Sequence, residues 1–189
     1  MIDTLRERLG RYRIESSLRH PGDRAQAAVL IPVISVEEPE VVLTLRADAL
    51  GSHGGEVAWP GGRRDDTDDS LLTTALRETS EEIGLPAEKV EVVGELRPFI
   101  SKFGLHVTPF VGLVTEPVTL TPSPDELEDI FRVPLKYLLD DPRTETNVIS
   151  RHGETHNVPV YHYAGFKIWG LTAMILREFL NHGLDAEID

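Results

Sequence analysis

The stretch GGRRDDTDDSLLTTALRETSEEIGL, residues 61–85, joins a glycine-rich loop to a segment with the spacing of an amphipathic helix. The spacing predicts a helix over about residues 69–83, and Gly84 followed by Pro86 provides a stop signal. At about 100° per residue, one group of side chains falls on a single stripe that we expect to be buried. These residues are Leu72, Ala75, Leu76, Thr79 and Ile83.

A second face of the same helix carries acidic residues. Glu78, Glu81 and Glu82 are spaced i, i+3 and i+4, so their side chains lie close together and repel one another. They also occupy the last turn, where the helix dipole disfavours anions. Arg77 can neutralise one carboxylate, and a divalent cation such as Mg²⁺ or Mn²⁺ would neutralise the others. A solvated acidic face is the alternative interpretation of this helix alone.

The loop before the helix favours a metal site. Residues 59–69 contain two glycines, two arginines and four aspartates. Gly61 and Gly62 permit positive φ and a close approach of the backbone. Such a turn can present carbonyl groups to a metal and N–H groups to a phosphate. The aspartates do not have the spacing of an EF-hand calcium loop, which disfavours that type of site.

The chain of 189 residues has a formal net charge of −13, from 32 acidic residues against 19 lysines and arginines. An acidic surface disfavours nucleic acid and anionic membranes and favours a cationic partner. Cysteine is absent, which excludes disulfides, thiolate metal sites and a cysteine nucleophile. No stretch approaches the roughly 20 apolar residues of a membrane span, and the N-terminal residues lack the apolar core of a secretory signal. We therefore expect a cytoplasmic protein.

The length fits a single domain over residues 1–189. We expect residues 1–24 to form a helical extension, because residues 3–17 have the pattern of an amphipathic helix with Leu5 and Leu9 on one side. The preferred interpretation is a helix that packs on the edge of the domain.

Apolar runs rich in β-branched residues predict strands at 27–36 and 40–46, with further strands near 90–99, 106–115 and 157–163. A short helical turn is predicted at 134–139, and a final helix at 168–182. Strands and helices are interspersed without strict alternation. This order favours an α/β fold with a central mixed sheet and helices on its faces.

Residues 62–85 resemble the Nudix box, G-x₅-E-x₇-R-E-U-x-E-E-x-G-U, in which U is a large apolar residue. In the second half, the matching residues are Arg77, Glu78, Glu81, Glu82, Gly84 and Leu85. Thr79 replaces the first apolar residue. The first half can be aligned in two ways. If Gly62 is the glycine of the pattern, Asp68 replaces the glutamate, and eight rather than seven residues separate it from Arg77. If Asp69 replaces the glutamate, the spacing to Arg77 is correct, but Arg63 stands at the glycine position. The loop is therefore one residue longer than the pattern.

The preceding segment, LTLRADALGSHGGEVAWPGG at residues 43–62, is similar to the stretch before the box in the coenzyme A pyrophosphatase subfamily. The agreeing residues are Leu43, Thr44, Arg46, Ala47, Gly55, Pro60, Gly61 and Gly62. Gly51 replaces an arginine of that pattern. Trp59 replaces a phenylalanine, and we expect its side chain to pack beneath the loop rather than to stack on adenine.

The resemblance implies a Nudix-type α/β/α sandwich with a central mixed sheet. It also implies metal-dependent hydrolysis of the pyrophosphate of coenzyme A or acyl-CoA, giving 3′,5′-ADP and 4′-phosphopantetheine or its acyl form. The nearest alternative substrate is another nucleoside diphosphate derivative, such as ADP-ribose or a dinucleotide. A non-catalytic binding module is less favoured, because such a module should lack box carboxylates that this chain keeps. We expect a monomer or a homodimer.

The resemblance also assigns roles to residues of this chain. The ligands of Mg²⁺ or Mn²⁺ would be Glu78, Glu81, Glu82 and the carbonyl of Gly62. Arg77 would orient a glutamate through a charge-assisted hydrogen bond. The general base would be Glu81 or, from outside the box, Glu126. The expected contacts to the substrate are Arg46, His53 and Arg63.

Overall fold

A mixed β-sheet of eight strands lies between two layers of helices. The computed structural model describes residues 1–15, 20–35, 37–47, 54–151 and 154–189. The strands of this sheet are β1 (Gln26–Ile34), β2 (Glu40–Arg46), β3 (Val57–Ala58), β4 (Gly61–Arg63), β5 (Glu91–Glu95), β6 (Phe99–Ile100), β7 (His106–Val114) and β8 (Leu127–Pro134). The helices are α1 (Ile2–Arg11), α2 (Leu71–Ile83), α3 (Leu135–Leu139) and α4 (Gly170–Leu184). None of these helices has the length and hydrophobicity that a bilayer span requires.

Strand β1 organises the sheet. It pairs in parallel with β7 along its whole length and antiparallel with β2 and β4. β2 also pairs with β3 and β8, and β7 also pairs with β5 and β6. A smaller antiparallel sheet contains β9 (Glu145–Arg151), β10 (Glu154–Tyr163) and β11 (Phe166–Ile168).

The two faces of β1 belong to different cores, because successive side chains of a strand point to opposite sides. Leu30 packs with Ile83 of α2 in one core. Ile31 packs in the other core, which contains Leu5 of α1 and Phe179 of α4. The predicted α/β/α sandwich around a mixed sheet is confirmed.

The N-terminal helix is docked onto the larger core by Leu5 and Leu9, which are both buried. A Cβ atom on Gly94 of β5 would lie 2.8 Å from Cβ of Leu9, so a glycine lets the helix approach the strand. The prediction of a helix over 3–17 is too long, because α1 ends at Arg11. The last two residues of the predicted helix, 16 and 17, lie outside the described ranges.

The segment that leads into the box is tied to α4. Trp59 is buried between β3 and β4, and its indole N–H donates to the carbonyl of Thr172 at 3.1 Å. The Thr172 hydroxyl donates to the carbonyl of Val57 at 2.9 Å. The prediction that Trp59 packs beneath the loop is confirmed.

Strand β8 is not among the strands that are predicted from the sequence. It pairs with β2 from Pro134 opposite Glu40 to Leu127 opposite Arg46. Its apolar residues are interrupted by the exposed charged residues Glu128, Asp129 and Arg132, so the strand has no continuous apolar run. Pairing with β2, which is long-range in the sequence, provides the hydrogen bonds that this segment needs.

The buried face of α2 also differs from the predicted stripe. The side chains that α2 buries are Thr74, Ala75, Thr79, Glu82 and Ile83. Leu72 and Leu76 are only partly buried and line an open groove on the outer side of the helix. The helix is turned in this way because Thr74 and Glu82 hydrogen-bond to groups of the preceding loop.

Replacing Thr79 by valine should stabilise the protein by about 1 kcal/mol. The Thr79 hydroxyl is buried and, within the described ranges, has no hydrogen-bond partner, so a methyl group of the same shape removes an uncompensated desolvation cost. Thr74→Val is the matched control, because the Thr74 hydroxyl donates to Oδ2 of Asp68 at 2.8 Å. That change should destabilise the protein by about 1–3 kcal/mol. Urea denaturation measures both, and changes of the same sign would contradict the prediction.

Candidate active site

The start of α2 is held beside β4. Ser70 caps the helix, and its hydroxyl accepts the N–H of Thr73 at 3.1 Å. Gly61 has a φ of +147°, and a Cβ atom there would lie 2.3 Å from the carbonyl oxygen of Ala28 in β1. Glycine is therefore required at residue 61 for both its conformation and its close contact.

Gly62 lies directly against Glu78. A Cβ atom on Gly62 would lie 2.4 Å from the carboxyl carbon of Glu78. Unlike Gly61, Gly62 does not have a positive φ. The absence of a side chain at residue 62 thus makes room for the first carboxylate of the helix.

Glu82 is the most buried acid of α2, with a side chain that is 5% exposed. Its Oε2 accepts the N–H of Gly61 at 2.9 Å, and its Oε1 lies 3.5 Å from Nη1 of Arg46. Burial raises the pKa of Glu82 to about 7, against the lowering effect of these two partners. Glu126 and Glu78 contribute further repulsion that raises the pKa. The ionised form of Glu82 is therefore stabilised by any cation added beside it.

Arg77 links the acids of the helix to the loop. Its Nε and Nη2 donate to the two carboxylate oxygens of Asp68 at 3.0 and 2.9 Å. Asp68 also accepts the Thr74 hydroxyl at 2.8 Å and the N–H of Asp65 at 3.0 Å. Together these donors, Arg77 foremost, hold the pKa of Asp68 far below its usual range. Of the two alignments of the first half of the box, the structure selects Asp68.

The other side of the Arg77 guanidinium faces two glutamates. Nη1 lies 3.0 Å from Oε1 of Glu78 and 3.0 Å from Oε2 of Glu81. Burial raises the pKa of Glu78, while Arg77 lowers it. The side chain of Glu81 is 58% exposed. The predicted contact between Arg77 and the box glutamates is present.

Glu126 is brought to the site by the segment between β7 and β8. The N–H of Ser123 donates to the carbonyl of Glu82 at 2.8 Å, at the end of α2. The N–H of Ala47, next to Arg46, donates to the carbonyl of Glu126 at 3.0 Å. The charge of Glu126 raises the pKa of both Glu78 and Glu82. The structure therefore places this distant acid near the carboxylates of the helix.

Of the three predicted substrate contacts, the structure describes Arg46 and Arg63, which differ in their surroundings. Arg46 faces Glu82, and its Nε is buried and has no hydrogen-bond partner in the described part of the chain. Arg63 is exposed at the end of β4, and its carbonyl accepts Nη2 of Arg77 at 3.4 Å. His53 lies outside the described residues.

These residues fit a divalent cation by their chemistry. Glu82 is buried and Glu78 is partly buried, and the pKa values of both carboxyl groups are raised. Both lie beside a backbone that only glycine allows to come so close. No three His, Asp or Glu side chains converge on one point within the described ranges, because Arg77 holds Glu81 and Glu78 and the loop N–H holds Glu82. Oxygen donors of this kind suit Mg²⁺ or Mn²⁺.

In metal-free protein, Glu82→Gln should increase stability at pH 8 by on the order of 2–3 kcal/mol and change it little at pH 4.5. The pKa of Glu82 rises from 4.5 to about 7 on folding, so the cost of burying its charge develops between these pH values. Glutamine keeps an oxygen for the N–H of Gly61 and carries no charge. Urea denaturation in EDTA at pH 4.5, 6 and 8 measures the difference.

Glu81→Gln is the matched control for that experiment, since it removes one carboxylate from an exposed position of the same helix. A gain in stability on Glu82→Gln that does not depend on pH would contradict the assignment.

Comparison with known proteins identifies the family. Residues 24–152 match the model of the NUDIX domain. Proteins named uncharacterized Nudix hydrolase NudL from Yersinia pestis (strain Pestoides F) and Yersinia pseudotuberculosis (serotype O:1b) are 46% identical over 152 residues, which are 80% of this chain and 76% of theirs.

Solved structures agree at the level of the fold. A MutT/nudix family protein from Enterococcus faecalis superposes with a TM-score of 0.56 at 17% identity, covering 98% of this chain and 70% of that chain. The Nudix hydrolase RenU from M. smegmatis gives a TM-score of 0.50 at 25% identity, covering 62% and 74%. Because the family model matches residues 24–152 and the Yersinia relatives are 46% identical, the protein belongs to the Nudix hydrolase family.

Proposed function

We propose that this protein hydrolyses the pyrophosphate of coenzyme A or acyl-CoA, giving 3′,5′-ADP and 4′-phosphopantetheine or its acyl form. The observation that carries the proposal is the contact between Arg46 and Glu82. Arg46 belongs to the segment at 43–62 that resembles the coenzyme A pyrophosphatase subfamily, and Glu82 belongs to the box. The segment that distinguishes the subfamily therefore contributes directly to the site.

Nudix hydrolases generally use divalent metal ions, and the proposed ligands are Glu78, Glu81, Glu82 and the carbonyl of Gly62. A bound Mg²⁺ or Mn²⁺ would lower the pKa of a coordinated water and neutralise charge on the pyrophosphate. Glu82 is held in place by burial, by the Gly61 N–H and by Arg46, and the partly buried Glu78 is held by Arg77. Arg77 holds Glu81 from the side and leaves one of its oxygens accessible.

The remaining residues bind the substrate and move the proton. Arg46 has a buried Nε without a partner in the described structure, and its guanidinium is suited to a phosphate oxygen. Arg63 and His53 are proposed as further phosphate contacts. Glu81 is the preferred general base because it is the exposed acid of the helix, and Glu126 is the second candidate.

Two other functions are weighed against this proposal. ADP-ribose or a dinucleotide would use the same carboxylates, and only the segment at 43–62 favours coenzyme A. A non-catalytic binding module is disfavoured because the chain keeps Glu78, Glu81 and Glu82 as well as the Asp68–Arg77 pair that positions them.

Purified protein should release 3′,5′-ADP from coenzyme A faster than it cleaves ADP-ribose or NADH. Each substrate is incubated with Mg²⁺ or Mn²⁺, and the products are separated by chromatography. Glu82→Gln should lower kcat by about a hundredfold or more, because a buried metal ligand is lost. Glu88→Gln is the control, since it removes an exposed acid outside the carboxylate cluster. Absence of 3′,5′-ADP would overturn the choice of substrate, and full activity of Glu82→Gln would overturn the metal assignment.

The general base can be identified by comparing Glu81→Gln with Glu126→Gln. We expect Glu81→Gln to lower kcat by about 10² to 10⁴ and to alter its dependence on pH, and Glu126→Gln to have the smaller effect. Titration of activity with Mn²⁺ separates the two roles of Glu81. If Glu81 is a metal ligand, saturating Mn²⁺ restores the activity of Glu81→Gln. If Glu81 is the general base, the activity stays low at saturating Mn²⁺. A larger loss in Glu126→Gln, at unchanged metal dependence, would assign the base to Glu126 instead.

A further inference from the structure

The buried carboxylate of Asp68 is held by four donors within the described residues. Arg77 donates through Nε to Oδ1 at 3.0 Å and through Nη2 to Oδ2 at 2.9 Å. The other two donors both contact Oδ2, the Thr74 hydroxyl at 2.8 Å and the N–H of Asp65 at 3.0 Å. The carboxylate is therefore fixed by groups of the loop and of the helix together.

Thr74 supplies a donor to Asp68 from inside the helix. Its side chain is fully buried, and it precedes Arg77 by three residues and Glu78 by four, so these side chains are neighbours on one side of α2. The hydroxyl has a second acceptor, the carbonyl of Ser70, at 3.3 Å. Because a hydroxyl has one proton to donate, the shorter distance favours Asp68. The bond from Thr74 also helps to lower the pKa of Asp68, so it favours the ionised form that Arg77 contacts.

The orientation of Asp68 determines that of the Arg77 guanidinium. A guanidinium group is planar and rigid, and a two-point contact aligns it with the carboxylate. The Thr74 hydroxyl holds Oδ2 and so restricts the rotation of this carboxylate. While Nε and Nη2 contact Asp68, Nη1 lies 3.0 Å from an oxygen of Glu78 and 3.0 Å from an oxygen of Glu81. A change in the orientation of Asp68 would therefore be felt at these two glutamates.

We propose that Thr74 is a positioning residue for the divalent cation. Its hydroxyl fixes the carboxylate of Asp68, and Arg77 transmits this constraint to the oxygens of Glu78 and Glu81. The inference rests on the proposed function in one respect, that these two glutamates bind Mg²⁺ or Mn²⁺. It does not depend on the identity of the organic substrate. Residues that orient metal ligands through hydrogen bonds contribute to metal affinity without contacting the ion.

Thr74→Val should weaken binding of Mn²⁺ to the metal-free protein by about tenfold, the factor that corresponds to one hydrogen bond to a charged group. Valine keeps the shape of the side chain and removes the hydroxyl. Thr74→Ser keeps the hydroxyl and should bind Mn²⁺ nearly as tightly as the wild type. The dissociation constant is measured by titration, followed by the EPR signal of free Mn²⁺.

Thr172→Val is the matched control for this experiment. The Thr172 hydroxyl is also buried and donates to a carbonyl, that of Val57, at 2.9 Å. It belongs to α4, which packs in the other core of the protein. This change removes a hydrogen bond of similar length and should leave binding of Mn²⁺ unchanged. Urea denaturation measures the stability of each variant and checks that the titrated protein is folded.

The route through Arg77 is tested by introducing Thr74→Val into an Arg77→Lys background. Lysine is a point charge and cannot make the two-point contact with Asp68. The effect of Thr74→Val on binding of Mn²⁺ should therefore be much smaller in that background, and a double-mutant cycle measures the difference. Equal losses in the two backgrounds would show that Thr74 does not act through Arg77 and would overturn the proposal.

Other results would also contradict this role of Thr74. They are unchanged binding of Mn²⁺ in Thr74→Val, a loss in Thr74→Ser as large as that in Thr74→Val, and the same loss in Thr172→Val.

Failure of the proposed function gives a different result. If the wild type binds no Mn²⁺, the metal assignment of the glutamates fails, and the inference for Thr74 is overturned with it. If the wild type binds Mn²⁺ but releases no 3′,5′-ADP from coenzyme A, only the substrate assignment fails, and the Mn²⁺ titrations still decide the role of Thr74.

Discussion

One guanidinium group keeps three acids together in the site. Arg77 makes a two-point contact with Asp68 and places its third nitrogen within 3.0 Å of both Glu78 and Glu81. Burial and the neighbouring charge of Glu81 both raise the pKa of Glu78. Without Arg77, the carboxylate of Asp68 would keep only the Thr74 hydroxyl and the Asp65 N–H as donors, and Glu78 and Glu81 would lose the cation between them.

The second constraint is the close approach of the loop backbone at Gly61 and Gly62 to the carboxylates of Glu82 and Glu78. Gly61 is pressed against Ala28 of β1, and its N–H donates to the buried oxygen of Glu82. Gly62 leaves the space that Glu78 fills. The pairing of β4 with β1 therefore sets the position of the two glutamates relative to the sheet, and the N–H from the loop replaces the water that burial removes. Fold and site are connected at these glycines.

Sequence reasoning recovers the parts of the molecule that carry strong local signals. The helix α2, the strands β1, β2 and β7, and the acidic face of the helix follow from periodicity, caps and spacing. β8 is missed because its buried residues are interrupted by exposed charged residues and its order comes from pairing with β2. Of the predicted buried stripe of α2, Ala75, Thr79 and Ile83 are buried, whereas Leu72 and Leu76 are only partly buried. Thr74 and Glu82 are buried in addition, because they form hydrogen bonds to the loop. No local pattern predicts such long-range polar partners.

The excess of acidic over basic residues in the chain is also found locally, at the candidate active site. The guanidinium groups of Arg46 and Arg77 are the counter-charges described for five carboxylates at the site. These are the carboxylates of Asp68, Glu78, Glu81, Glu82 and Glu126. Arg77 is mostly committed to Asp68, which leaves Arg46 as the counter-charge for Glu82, whose pKa burial still raises to about 7. A pyrophosphate would add negative charge to this excess and would be repelled. Under the proposed function, a divalent cation is therefore needed to balance the glutamates and to let an anionic substrate approach them.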